Sequence, residues 1–196
     1  MFTDFNFYFI KFLQEVKIMD FQKLMETRRS VRKYVPAQIR REDLEEMILA
    51  ALEAPSWKNT ETGRYHCVLS RDLIDRIRTE CLPPANCAKA ENAALVVATY
   101  VKDKAGFQTD GTPDNELGNG WGCYDLGLQN ENFLLKATEL GYATLVMGIR
   151  DAGKIREILS IPEDEIIVSV LAVGKAGDDP KRPKRKELEE VVKFYE

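Results

Sequence analysis

Arg28-Arg29-Ser30-Val31-Arg32-Lys33-Tyr34 places four cations and a hydroxyl within six residues, directly after a short amphipathic run. Guanidinium groups offer N–H donors in a planar fork that matches phosphate oxygens, and a serine adds a small donor without blocking access. The stretch therefore reads as an anion site. A second reading stands beside it, because Lys and Arg also gather at helix C-termini, where they complement the macrodipole. Only further motifs that need the same ligand can separate the two.

Upstream, Asp20 is a good N-cap for a short helix whose Phe21, Leu24 and Met25 share a face. Downstream, Pro36 breaks regular structure, and apolar residues at helical spacing predict a helix from Glu42 to Glu53, stopped by Pro55. Pro55 to Thr60 is a polar loop. Strands are predicted over Arg64 to Ser70, Ala94 to Val101, Ala143 to Met147 and Glu165 to Val173; the apolar Ala94 run suits a central strand covered on both faces. Helices are expected over Asp72 to Glu80, Tyr124 to Leu140 and Asp151 to Leu159, with Pro83-Pro84 marking a loop. Lys102 to Gly122, rich in Gly, Asp, Asn, Thr and Pro, reads as a long loop, either a lid or a disordered segment.

Composition narrows the chemistry. The chain has 196 residues, 44% of them hydrophobic, which is enough for one domain with a real core. With 28 basic and 32 acidic residues its formal charge is −4, which argues against a general nucleic-acid or membrane-surface binder. Cys67, Cys81, Cys87 and Cys123 form no C-x-x-C pair, and His66 is the single histidine, so no metal site is expected and the cysteines read as reduced thiols of a cytoplasmic protein. There is no G-x-S-x-G elbow, no phosphate loop of the G-x-x-x-x-G-K-[ST] type and no G-x-G-x-x-G fingerprint. Residues 1 to 18, crowded with aromatics, read as an extension preceding the domain at 19 to 196. It is either a helix that packs on the body or a partner, or a translated leader upstream of Met19.

An arginine-lined anion site with no hydrolytic machinery asks for a cofactor. The motifs that follow are Ala54-Pro55-Ser56-x-x-Asn59 after the first long helix, Gly141-Tyr142-Ala143-Thr144 leading to Met147-Gly148, and a late Arg185. In this order and spacing, together with Arg-Arg-Ser-x-Arg, they resemble the nitroreductase family. The resemblance covers Met19 to Glu196. It implies an α+β fold with a central, mostly antiparallel sheet flanked by helices, and a C-terminal arm exchanged between the subunits of a homodimer. It also implies an FMN-dependent oxidoreductase that passes hydride from NADH or NADPH through flavin N5 to nitroaromatic, quinone or similar small-molecule acceptors, by a ping-pong mechanism.

By the same resemblance Arg28, Arg29, Ser30 and Arg32 approach the FMN phosphate, ribityl chain and pyrimidine edge. Arg185, helped by Lys184, closes on the phosphate. Pro55, Ser56 and Asn59 come from the other subunit, with Trp57 an aromatic wall. Asn86 and Lys89 match a pair on the pyrimidine side, and Leu145, Val146, Met147 and Gly148 pass the isoalloxazine, where a backbone N–H near Met147 faces the flavin N5 and a glycine permits close approach. No side chain is expected to act as an essential acid or base. Glu61 stands where a neutral amide is common, and Phe107 and Trp121 could cover a substrate. Alternatives are a specialised member, such as a reductive dehalogenase or a flavin-consuming enzyme, and a non-catalytic nucleotide- or nucleic-acid-binding protein using Lys181 to Lys186.

Overall fold

The computed structural model describes residues 20–196; the extension read at 1 to 18 lies outside the described residues. Asp20 caps α1 (Phe21–Thr27) by accepting from the Lys23 N–H. The chain continues through β1 (Tyr34–Val35), α2 (Arg41–Leu52), a 3-10 turn at Trp57–Asn59, β2 (Gly63–Val68) and α3 (Arg71–Arg76), which runs on into a π-helical turn at Ile77–Cys81. Then come α4 (Pro84–Lys89), β3 (Ala94–Val101), α5 (Gly120–Glu139), β4 (Ala143–Met147), α6 (Ala152–Leu159) and β5 (Glu165–Ala176).

The strands form one five-stranded sheet in which all named pairings are antiparallel. β5 is its hub, pairing with β1, β3 and β4, and β2 extends the sheet from β3. Period two sorts the central strands between two cores. On one face Leu95, Val97, Val170 and Ala172 meet Ile74, Ile77 and Ile155; on the other Val96, Leu171 and Val173 meet Met47, Phe133 and Ala137. The sheet is thus covered by helices on both sides, as the apolar Ala94 run demands. Gly122 lets α5 lie against β3, because a Cβ there would stand 2.4 Å from the Tyr100 ring.

Two expectations are corrected. Pro83-Pro84 does not mark a loop, since Pro84 occupies the first helical position of α4, where its missing N–H has no intrahelical partner to lose. Lys102 to Gly122 is a series of tethered turns whose last residues already belong to α5. Asn119 accepts from the Asp103 N–H and donates to its carboxylate, both at 2.8 Å, and Trp121 Nε1 donates to Asn115 at 2.8 Å. The tail after β5 is extended apart from one 3-10 turn, Leu188–Glu190, and exposes Leu188, Val191, Phe194 and Tyr195.

Candidate anion and cofactor site

The helix-end reading of the arginine cluster holds for Arg29 alone, whose guanidinium donates to the Glu26 carbonyl in the last turn of α1. α1 closes at Thr27 with no basic residue in its last turn, and Arg28 is already extended. Val31 is the anchor: it is buried, and its N–H donates to the Thr144 carbonyl at 3.0 Å, beside a parallel bridge between Ser30 and Thr144. The cluster is therefore laid along the free edge of β4 with its cations on the rim.

Arg28, Arg29, Ser30 and Arg32 converge with Pro180, Lys181, Pro183 and Arg185 around a pocket of about 190 Å³. Arg28 pairs with Glu131 at 3.4 Å. The other guanidiniums rest on backbone carbonyls: Arg29 on Glu26 and Arg28, Arg32 on Ser30 at 3.0 Å and Arg185 on Pro183 at 3.3 Å. Carbonyls leave the charge uncancelled, so the pocket is strongly positive. A larger cleft of about 800 Å³ beside α2 is lined by Arg40, Arg41 and Arg71; Asp43 and Glu45 neutralise the first two, so Arg71 alone of the three has no carboxylate partner among the described residues. Lys181 joins the pocket although the family resemblance does not point to it. Lys184 does not line it, because its ammonium pairs with Glu187 at 3.3 Å on the surface.

The edge of β4 continues the site. Leu145 and Met147 point their side chains into the core, whereas Val146 is exposed. Thr144 directs its carbonyl outward to Val31, so by antiparallel alternation Val146 also turns its N–H and C=O to the free edge. Leu145 and Met147, by the same alternation, turn their N–H and C=O inward to Ala172 and Val170 of β5, so of these strand residues only Val146 offers its main chain to a ligand at the free edge. Gly148 follows; it has no positive φ, and a Cβ built on it would meet no atom of the chain within 4 Å. Nothing in the fold itself demands a glycine there, and the open space beside it suits a ligand. Asn86 reaches this turn by donating to the Ile149 carbonyl at 3.2 Å, and Lys89, half-buried at the end of α4, has no carboxylate partner among the described residues.

The loop Pro55 to Glu61 lies outside the arginine pocket of its own chain. It is strained, with Lys58, Asn59 and Glu61 all at positive φ, and heavily tethered. Trp57 N–H donates to the buried Asp125 carboxylate at 2.8 Å, Ser56 Oγ accepts from Glu61 N–H at 3.0 Å, and Asn59 Nδ2 donates to the Glu61 carboxylate at 3.0 Å. Trp57 packs on Trp121 at 4.4 Å between ring centroids. Burial pushes the Asp125 carboxyl up, and the Trp57 N–H pulls it part of the way back. Asp125 and Glu61 are the supports of this loop; an aspartate on the face of α5 that Leu126 and Phe133 bury is the sequence signal for the first.

An α+β sheet covered by helices on both faces, with a cationic pocket at the edge of one strand, defines the class of protein. Comparison with known proteins then supplies the family. The nitroreductase family model matches residues 25–175. An Archaeoglobus fulgidus protein provisionally named NADH dehydrogenase/NAD(P)H nitroreductase is 28% identical over 166 residues, spanning 80% of this chain and 86% of its own length. A nitroreductase family protein from Clostridium novyi NT superposes with a TM-score of 0.70 at 26% identity, covering 84% of this chain and 89% of its own. A provisionally named nitroreductase from Exiguobacterium sibiricum 255-15, solved in complex with FMN, gives 0.78 at 21% identity over 90% of this chain and 98% of its own. The chain belongs to the nitroreductase family, a family of oxidoreductases.

Proposed function

We propose that this protein is an FMN-dependent NAD(P)H oxidoreductase that works as a homodimer with the cofactor at the subunit interface. The observation that carries the reading is the convergence of Arg28, Arg29, Ser30, Arg32 and Arg185 on one pocket beside the free edge of β4. The donor set fits FMN: the cations suit a phosphate, and the outward amide edge at Val146 and the open space beside Gly148 suit a flat ring. The chemistry a bound FMN supplies is two-electron transfer from NADH or NADPH to a nitroaromatic, quinone or similar acceptor, in ping-pong order.

The chain's own share is binding, orientation and electrostatics. Arg28, Arg29 and Arg185 hold the phosphate, with Lys181 nearby and Lys184 in reserve on the surface. Ser30 and Arg32 hold the ribityl and pyrimidine portions, Arg32 and Lys89 supply positive charge toward the pyrimidine end, and Val146 and Gly148 contribute backbone on an edge that Leu145 and Met147 anchor to the core. Pro55, Ser56, Trp57 and Asn59 act on the partner's cofactor, a role supported by their separation from the arginine pocket in their own chain and by the strain their loop carries. The exposed apolar residues of the tail support an arm that crosses to the partner. The free thiols Cys67, Cys81, Cys87 and Cys123 support a cytoplasmic location. No helix among the described residues is long and apolar enough to cross a membrane.

The test is the visible spectrum of the purified protein. A yellow protein that bleaches under anaerobic addition of NADH or NADPH, and recovers its colour on adding a nitroaromatic or quinone, supports the reading. A colourless protein that ignores added FMN overturns it.

A further inference from the structure

β4 delivers the chain into the turn Gly148-Ile149-Arg150, and two successive carbonyls of that turn are gripped by side chains of the protein. Arg150 folds back so that one terminal nitrogen donates to the Gly148 carbonyl at 2.9 Å while the other donates to the Ile167 carbonyl on β5. Asn86 holds the next carbonyl, that of Ile149, at 3.2 Å. Beyond them the Asp151 N–H donates to the Cys81 carbonyl at 2.8 Å, and the Asp151 carboxylate caps α6 by accepting from the Lys154 N–H at 3.0 Å. The turn is clamped along its whole length.

What the clamps leave free is the amide side. The peptide bonds are trans, so each carbonyl held in one direction leaves the N–H of the following residue facing the other. The N–H groups of Ile149 and Arg150 therefore face away from Arg150 and Asn86, and neither has a backbone acceptor among the described residues. The guanidinium itself is half-buried. It has no carboxylate partner among the described residues, and its Nε lies buried without an acceptor. A partly desolvated cation, committed to two carbonyls and with its buried Nε unpaired, is a costly way to tie down a turn that Asn86 and Asp151 already hold.

We infer that Arg150 is a positioning residue for the cofactor: it fixes the Gly148–Ile149 peptide so that the Ile149 N–H is presented to the ring of bound FMN, and adds a positive field behind it. This rests on the function proposed above. Asn86 sets the following peptide in the same way, through its amide nitrogen. A fixed N–H dipole backed by a cation favours the electron-rich state of the ring it faces.

The test compares wild type, Arg150→Gln and Arg150→Lys. The readouts are thermal unfolding without cofactor, affinity for oxidised FMN by fluorescence titration, and the midpoint potential of the bound FMN. Arg150→Gln is expected to lower the midpoint potential by about 30 mV, equivalent to a tenfold loss of preference for the two-electron-reduced state. Affinity for oxidised FMN, set by the distant phosphate pocket, changes by less than about threefold. Arg150→Lys keeps the charge, loses the fork and recovers only part of the shift. Variants that unfold at lower temperature but keep the wild-type potential show a clamp with no bearing on the cofactor and overturn the inference. If wild type binds no FMN, the proposed function falls and this inference with it; wild-type binding with an unchanged Arg150→Gln potential sinks this inference alone.

Discussion

Replacing Arg28 with alanine tests the pocket at the point where its charge is best defined. Arg28 is mostly buried, with its side chain 20% exposed, and its partner Glu131 is 52% exposed at 3.4 Å. A pair that open is worth about 0–1 kcal/mol, so exchanging the carboxylate for a phosphate sacrifices little. A charge-assisted hydrogen bond to the phosphate is worth about 1.5–3 kcal/mol, and Arg28→Ala should therefore weaken FMN binding by about 10- to 150-fold. Glu131→Gln releases Arg28 from competition and should tighten binding by up to about fivefold. Both follow from quenching of FMN fluorescence on titration with apoprotein, repeated at higher salt, where the remaining cations are screened and all affinities fall together. An Arg28→Ala protein that keeps the wild-type circular dichroism and binds FMN within about twofold of wild type would refute the phosphate assignment.

Three further outcomes test the fold around the site. Gly122→Ala sets a helix-propensity gain of about 1 kcal/mol against overpacking of about 1–3 kcal/mol from a Cβ 2.4 Å from Tyr100; the clash should win, and a higher Tm would show that the ring yields. Glu165 is pushed up by burial, but hydrogen bonds from Thr99 and His66 outweigh this and hold its carboxyl below the usual range. Its contribution is therefore complete above the ordinary glutamate pKa and is lost as pH falls through the depressed one, so Glu165→Gln should flatten the acid limb of a stability-versus-pH curve; an unchanged limb refutes the coupling. For Asp125 the sign is opposite: its raised pKa means stability falls as pH rises from the ordinary aspartate value through the raised one. Asp125→Asn keeps an acceptor for the Trp57 N–H and cannot titrate, so it should be at least as stable as wild type at pH 7, and a lower Tm there would overturn the argument.

Legibility in the sequence follows periodicity. The helix read from Glu42 to Glu53 is found at Arg41–Leu52, and the strand read at Ala94 to Val101 has those bounds, because each repeats an apolar pattern long enough to set a face. β1 has only two residues, too few for a period, and exists because Tyr34 and Val35 find Ala176 and Lys175 opposite them. Pro84 misleads because proline both breaks and starts helices, and only the following turn tells which. The order in Lys102 to Gly122 comes from pairs such as Asp103 with Asn119, whose partners are too far apart in sequence for local pattern to join them.

The site divides along the same line. Arg28, Arg29, Ser30 and Arg32 are visible because a phosphate ligand needs charge, and charge is written in residue type. Arg150 and Asn86 are harder to assign, because they act through backbone carbonyls, which every residue carries and no sequence displays. Leu145 and Met147 show the converse: their residue types record the core behind β4 and their main chain pairs with β5, which leaves the free edge to the main chain of Val146. At this strand edge the side chains specify the fold, and the backbone that the fold holds in place provides the surface that a ligand would meet.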